Sequence, residues 1–211
     1  METRIVTLLK EATEWRLLGL LFECPGKNWV QEITDLASEA RDPDLRRAAG
    51  LAVKHATEGK YHSIFGPGGP APAREVSYRT WVQPGYLLSE LRTYYEAFSF
   101  YPETDETPDH VSVETAFLSY LSLKEAFAYT VSETENAQIT SDAAQKFKEE
   151  HLAKIASPLA QALKSSGEEY LSIAGAALLE RAGPDNESTN RKFLPVLGDS
   201  EDDKFECGMM P

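Results

Sequence analysis

The chain has 211 residues, with 21 basic against 34 acidic side chains for a formal net charge of −13, and 42% of its residues are hydrophobic. That length and apolar content build a real core, which excludes disorder throughout and fits one domain, or one domain with a tail. So acidic a balance, with no basic stripe, excludes nucleic acid and anionic membrane surfaces held through phosphate contacts, because those need Lys and Arg to release counterions; a basic partner fits better.

The apolar spacing is helical almost everywhere. Ile5, Leu8, Leu9, Ala12, Trp15 and Leu18 share one side of a first helix, expected over residues 4–23 and ended by Pro25-Gly26. Lys10, Glu11, Glu14 and Arg16 interrupt this stretch too often for an export signal. The apolar run Leu17 to Phe22 is far below the roughly 20 residues that span a bilayer, so a cytoplasmic protein without membrane insertion is expected. A second helix begins near Asn28 and carries Trp29, Ile33, Leu36 and Ala37. Asp42 and Pro43 supply a cap and a first-turn residue for a third, which holds Leu45, Ala49, Ala52, Val53 and Ala56. Gly66-Pro67-Gly68-Gly69-Pro70-Ala71-Pro72 then predicts a long loop, because its prolines and glycines suit neither a helix interior nor a central strand.

After Pro84-Gly85 a fourth helix holds Leu87, Leu88, Leu91, Tyr95 and Phe98. A loop over 101–107 leads to a fifth, with Thr107 expected as cap, Pro108 in the first turn and Asp109 where the helix dipole favours negative charge. That helix runs to about Val131 and buries Val113, Phe117, Tyr120, Leu121 and Ala128. Residues 133–140 read as polar linker, and 141–156, 158–163 and 168–182 as three more helices. The last is opened by a capping box of Ser166 and Glu169 and closed by Gly183-Pro184. The one β-like fragment, Val76 to Val82, is short. The expected fold is all-α: one helical bundle over residues 1–183, followed by an acidic, flexible tail over 184–211.

Reactive constellations are missing. There is no His-Glu-x-x-His pair, no paired cysteine spacing, no nucleophile elbow and no complete phosphate loop, since the glycines at 66–69 lack the following Lys and hydroxyl. Cys24 and Cys207 read as ordinary thiols, and His55, His62, His110 and His151 have no spacing that argues for a shared metal. Two stretches exceed what a bland helical domain requires. Tyr61, Phe65, Tyr78, Trp81 and Tyr86 cluster around the proline-rich loop, and Asp105, Glu106 and Asp109 precede His110. Aromatics beside carboxylates can receive an Arg-bearing peptide by stacking, cation–π contact and a guanidinium fork. Each piece alone also reads as core aromatics or helix-end acids.

At these residues the sequence resembles the TorD/DmsD/NarJ-like family of cytoplasmic chaperones that mature molybdenum oxidoreductases. The similarity lies in Tyr61 to Gly69 with Pro72 and Glu75-Val76-Ser77-Tyr78, in Leu91-Arg92-Thr93-Tyr94-Tyr95, in Glu106-Thr107-Pro108-Asp109-His110, and in Phe147 to Leu152. The resemblance implies an all-helical chaperone without catalytic turnover. It would bind the immature catalytic subunit and its twin-arginine leader, with no permanent cofactor and at most transient contact with the client's molybdopterin guanine dinucleotide. It carries leader binding onto Glu106, Pro108, Asp109 and His110, with Thr107 replacing a proline of the family's pattern. On this reading Asp109 pairs with leader arginines, His110 organises the loop, and Tyr78, Trp81 and Tyr86 form an apolar wall. Two other readings stay open: a permanent regulatory or structural subunit of an oxidoreductase complex, and a nucleotide-binding enzyme using the glycine loop.

Overall fold

A computed structural model describes residues 2–185; the tail expected beyond lies, from residue 186 on, outside the described residues. The described chain is all helical: α1 (Glu2–Leu21), α2 (Trp29–Glu39), α3 (Pro43–His55), α4 (Glu58–Phe65), α5 (Pro84–Ala97), α6 (Val111–Thr130), α7 (Thr134–Phe147), α8 (Ala153–Ser165) and α9 (Glu169–Ala182). A 3₁₀ turn spans Glu75–Ser77, and a π turn over Lys148–Leu152 joins α7 to α8 without a break. No described helix is long and apolar enough to cross a membrane.

The centre of the bundle is α6, which packs along α1 on one side and α7 on another, while α9 packs on α8 and α3, and α2 on α1 and α3. Val111, Val113, Phe117, Leu118 and Leu121 of α6 are buried with Leu17, Leu18, Leu20 and Leu21 of α1. Full burial of such side chains contributes about 1.5–3 kcal/mol each, and this supplies most of the drive for the bundle. The two helices also meet through polar groups. Ser119 Oγ donates to the Ala12 carbonyl at 2.8 Å, and Arg4 bonds the buried Glu125 carboxylate at 2.7 Å. Gly19 allows the close approach, since a Cβ there would stand 2.8 Å from Thr115 Oγ1.

Several boundaries differ from the sequence expectation. Helix α4 is absent from it because the segment is eight residues long and buries only Tyr61 and Ile64, with Thr57 Oγ1 capping the Lys60 N–H. The supposed linker 133–140 is the start of α7, whose inner face is made of the small residues Ala137 and Thr140 ahead of Phe147. Small buried residues carry little apolar signal, so the segment reads as polar. Pro158 does not open a helix; it lies inside α8, where the buried Ile155, Ala156, Leu159 and Leu163 hold the helix across it. The capping box of Ser166 and Glu169 does not form: α9 starts from Glu168, Ser166 Oγ donates to the Leu163 carbonyl, and Glu169 pairs with Arg47.

The start of α6 is displaced most. Thr107 is not its cap, Pro108 is not in its first turn, and Thr107 Oγ1 is buried without a hydrogen-bond partner. The cap is His110, whose Nδ1 accepts from the Ser112 N–H at 3.2 Å. The reason is a pairing that local propensity cannot register. Arg74 and His110 form an antiparallel bridge, with Glu75 N–H donating to the Asp109 carbonyl and Val111 N–H to the Ala73 carbonyl, both at 2.8 Å. Extended backbone at 110 is needed for that ladder, so the helix begins only afterwards.

Candidate functional site

The glycine loop and the acidic loop are brought together by this bridge. Gly69 N–H donates to the Gly66 carbonyl and Ala71 N–H to the Ile64 carbonyl, which ties the glycine loop onto the end of α4. A Cβ at position 69 would lie 2.3 Å from the Ile64 oxygen, so the turn closes only around glycine. These N–H groups are spent within the loop rather than turned outward as a phosphate cradle.

Behind the bridge lies a buried polar cluster. Asp109 is fully buried and accepts from Arg74 Nε at 3.0 Å and from the Val76 N–H at 3.3 Å. Glu75, also fully buried, is held by Arg79 through one oxygen and lies 3.0 Å from His151 Nδ1 through the other. Tyr95 donates its hydroxyl to the Pro108 carbonyl at 2.7 Å. Burial first, then the neighbouring acids Glu114, Glu75 and Asp109, raise its pKa well above the usual phenol value. Glu114 is the third acid of the cluster, and no donor reaches either of its oxygens; its one polar neighbour is the Glu75 carboxyl, to which only a protonated Glu114 can hydrogen-bond. Burial first, then the Glu75 and Asp109 charges, push its carboxyl far above the ordinary range, so Glu114 holds its proton and faces the Glu75 carboxylate as a neutral acid.

In front of the bridge the buried Tyr61 and His110 lead out to one group that reaches solvent, Glu106. Tyr61 donates its hydroxyl to Glu106 Oε1 at 2.8 Å and sits 3.3 Å from His110 Nε2. Because Nδ1 of His110 already accepts from the Ser112 N–H, the neutral ring carries its proton on Nε2, which donates to the Tyr61 oxygen. Burial lowers the His110 pKa against the raising effect of the nearby Glu106 and Asp109. The result is a chain of donors from His110 through Tyr61 that fixes Glu106, whose side chain stays 36% exposed. Glu106 N–H in turn donates to Thr104 Oγ1 at 3.2 Å. Thr104 edges a groove of about 430 Å³ whose lining includes Glu23 and Glu103 together with Phe100, Tyr101, Val113 and Leu123.

The residues singled out in the sequence thus fall into three places. Glu106 alone of the four reaches the surface as an acid, braced from behind by the buried His110; Pro108 is half-buried and Asp109 lies fully inside. Asp109 is not an exposed acid: reaching it requires Arg74 to leave. Tyr78, Trp81 and Tyr86 do not form one wall. Tyr78 packs on the core with its hydroxyl buried and its pKa pushed up to about 12 by desolvation. Trp81 is 95% exposed in a left-handed backbone conformation, and Tyr86, 70% exposed, borders a different groove. The apolar lining near Glu106 comes from Phe100, Tyr101, Val113 and Leu123 instead. The sequence reading passes over Glu114, although a carboxylate at the head of the stripe Glu114, Phe117, Leu118, Leu121 signals a buried acid.

No curated protein matches the chain. The profile of the family described as "Nitrate reductase delta subunit" matches residues 33–161, a span that contains the glycine loop, the Arg74–His110 bridge and the buried acids. The chain therefore belongs to the nitrate reductase delta subunit family, the NarJ/TorD-type maturation chaperones of molybdoenzymes.

Proposed function

We propose that the protein binds the immature catalytic subunit of a molybdenum oxidoreductase, with its twin-arginine leader, and assists insertion of the client's molybdopterin guanine dinucleotide before export or assembly. The observation that carries the reading is that Glu106, joined through Thr104 to the rim, stands beside a groove lined by Glu103 and apolar side chains, where Glu23 also lies but is paired with Arg16. A twin-arginine leader presents guanidinium groups followed by an apolar stretch. Glu106 and Glu103 beside the apolar side chains of Phe100, Tyr101 and Leu123 offer both kinds of contact. Glu106 takes the arginine fork, and His110 and Tyr61 hold it in place. Pro108 and Asp109 support the loop from beneath. The net charge of −13 adds long-range attraction that salt screens. Trp81 and Tyr86, exposed elsewhere, are left to contact folded parts of the client.

Calorimetry with a twin-arginine leader peptide tests this. Glu106→Gln is expected to weaken binding by about 1–3 kcal/mol, more at low salt than at high, with the thermal unfolding midpoint little changed. Affinity equal to the wild type in both Glu106→Gln and Leu123→Ser would remove the groove from leader recognition.

A further inference from the structure

A second cavity, of about 660 Å³, opens between α5 and α7 and is bordered by Tyr86, Glu90, Tyr94, Lys146 and Glu150. Where Glu90 and Glu150 approach each other, a ring nitrogen of the buried His151 and one carboxylate oxygen from each glutamate lie within 4.8 Å of one another.

The state of His151 follows from its neighbours. Glu75 is ion-paired with Arg79, so its carboxylate accepts only, and the His151 nitrogen 3.0 Å away, Nδ1, carries the proton. In the neutral ring Nε2 is then a bare lone pair, and it is buried without a hydrogen-bond partner among the described residues. Such an atom calls for a donor or a cation. The arrangement Glu75 carboxylate, imidazole, open nitrogen is the outer-shell pattern that orients metal-binding histidines and raises their basicity. The backbone contributes as well. The π turn Lys148–Leu152 carries both Glu150 and His151, and π turns inside helices concentrate at functional sites. Arg79 pins this turn by donating to the Glu150 carbonyl at 2.9 Å.

We propose that Glu90, Glu150 and His151 bind a first-row divalent cation, Zn²⁺ foremost, through His151 Nε2 and one oxygen of each carboxylate, with Glu75 orienting the imidazole. Imidazole with two carboxylates suits such a metal better than Mg²⁺ or Ca²⁺. Closing to bonds of about 2.0–2.2 Å requires Glu90 and Glu150, both on the cavity edge, to swing inward. Glu150 can keep the Tyr94 hydroxyl, 2.6 Å from its Oε2, as an outer partner while Oε1 binds in exchange for the exposed Lys146 ammonium, now 3.7 Å away. The site is distinct from the groove beside Glu106 and does not depend on leader binding.

The test is equilibrium dialysis and calorimetry of the full chain, stripped with chelator, against ZnCl₂ and separately MgCl₂. One equivalent of Zn²⁺ is expected to bind, and Mg²⁺ not to compete. Glu90→Gln should weaken binding about tenfold or more, and His151→Gln should abolish it. Because His151 also supports Glu75, Glu90→Gln, a change at the cavity edge, keeps the test decisive if His151→Gln fails to fold. Cobalt(II) in place of zinc should give visible bands that change in Glu150→Gln. No uptake at equimolar Zn²⁺, or uptake unaltered in both Glu90→Gln and Glu150→Gln, overturns the proposal.

Discussion

Glu114→Gln isolates the proton held in the core. In the folded chain Glu114 is buried against Glu75 with no donor of its own, and its pKa is raised by burial and by the Glu75 and Asp109 charges. In the unfolded chain the same carboxyl ionises near its ordinary value of 4.5. Above that value the native state binds one proton more than the unfolded state, so stability must fall as pH rises, by about 1.4 kcal/mol per pH unit, until the folded carboxyl also releases its proton. Below it both states are protonated and the contribution is complete. Gln keeps the shape and offers an N–H to Glu75, yet does not titrate. Urea unfolding of both proteins at several pH values, with the slope m compared, reads the effect directly. Every other titrating group is shared, so the difference between the two curves reports Glu114 alone. The variant is expected to gain on the wild type steadily from about pH 5 upward. A difference that stays constant with pH would refute a neutral Glu114.

The same assay reaches other parts of the molecule. His110, whose pKa burial lowers from the ordinary 6.5, is neutral in the fold, so stability should fall as pH drops below about 6.5, where only the unfolded chain takes the proton; His110→Asn should flatten that limb by up to about 1.4 kcal/mol per pH unit. Arg74→Gln leaves the buried Asp109 without its cation and should cost about 1–3 kcal/mol, less than for a fully buried pair because Arg74 is 41% exposed, whereas adding Asp109→Asn should recover part of the loss; additive losses in that cycle would show the pair uncoupled. Gly19→Ala gains about 1 kcal/mol of helix propensity but drives a methyl to 2.8 Å from Thr115 Oγ1, with a clash of about 1–3 kcal/mol; it should destabilise in the wild type and less in a Thr115→Ala background, by thermal unfolding.

Family membership carries the general role. The fold places acids in two settings a few residues apart: Glu106 at the surface, steadied by Tyr61 and His110, and Asp109 behind it, neutralised by Arg74. A receptor for arginines needs the first kind. The second kind keeps the loop in register, since losing it would loosen the bridge between residues 73–75 and 109–111.

Helical class, most breaks and the family pattern were legible in the sequence, because apolar periodicity and the Pro and Gly positions act over a few residues and need no partner. Helix α3 shows this: Asp42 caps it and Pro43 opens it as local chemistry requires. What failed to show depended on distant contacts. Helix α7 rests on Ala137 and Thr140 filling space against α6, and α6 starts late because Arg74 draws residue 110 into an extended bridge. The roles of the charged residues were decided in the same way. Whether a carboxylate is a surface acceptor, an ion-pair partner or a neutral acid depends on its burial and on which charges share that low-dielectric space. For Glu106, Asp109 and Glu114 those neighbours come from segments far along the chain, which only the packed bundle brings within reach.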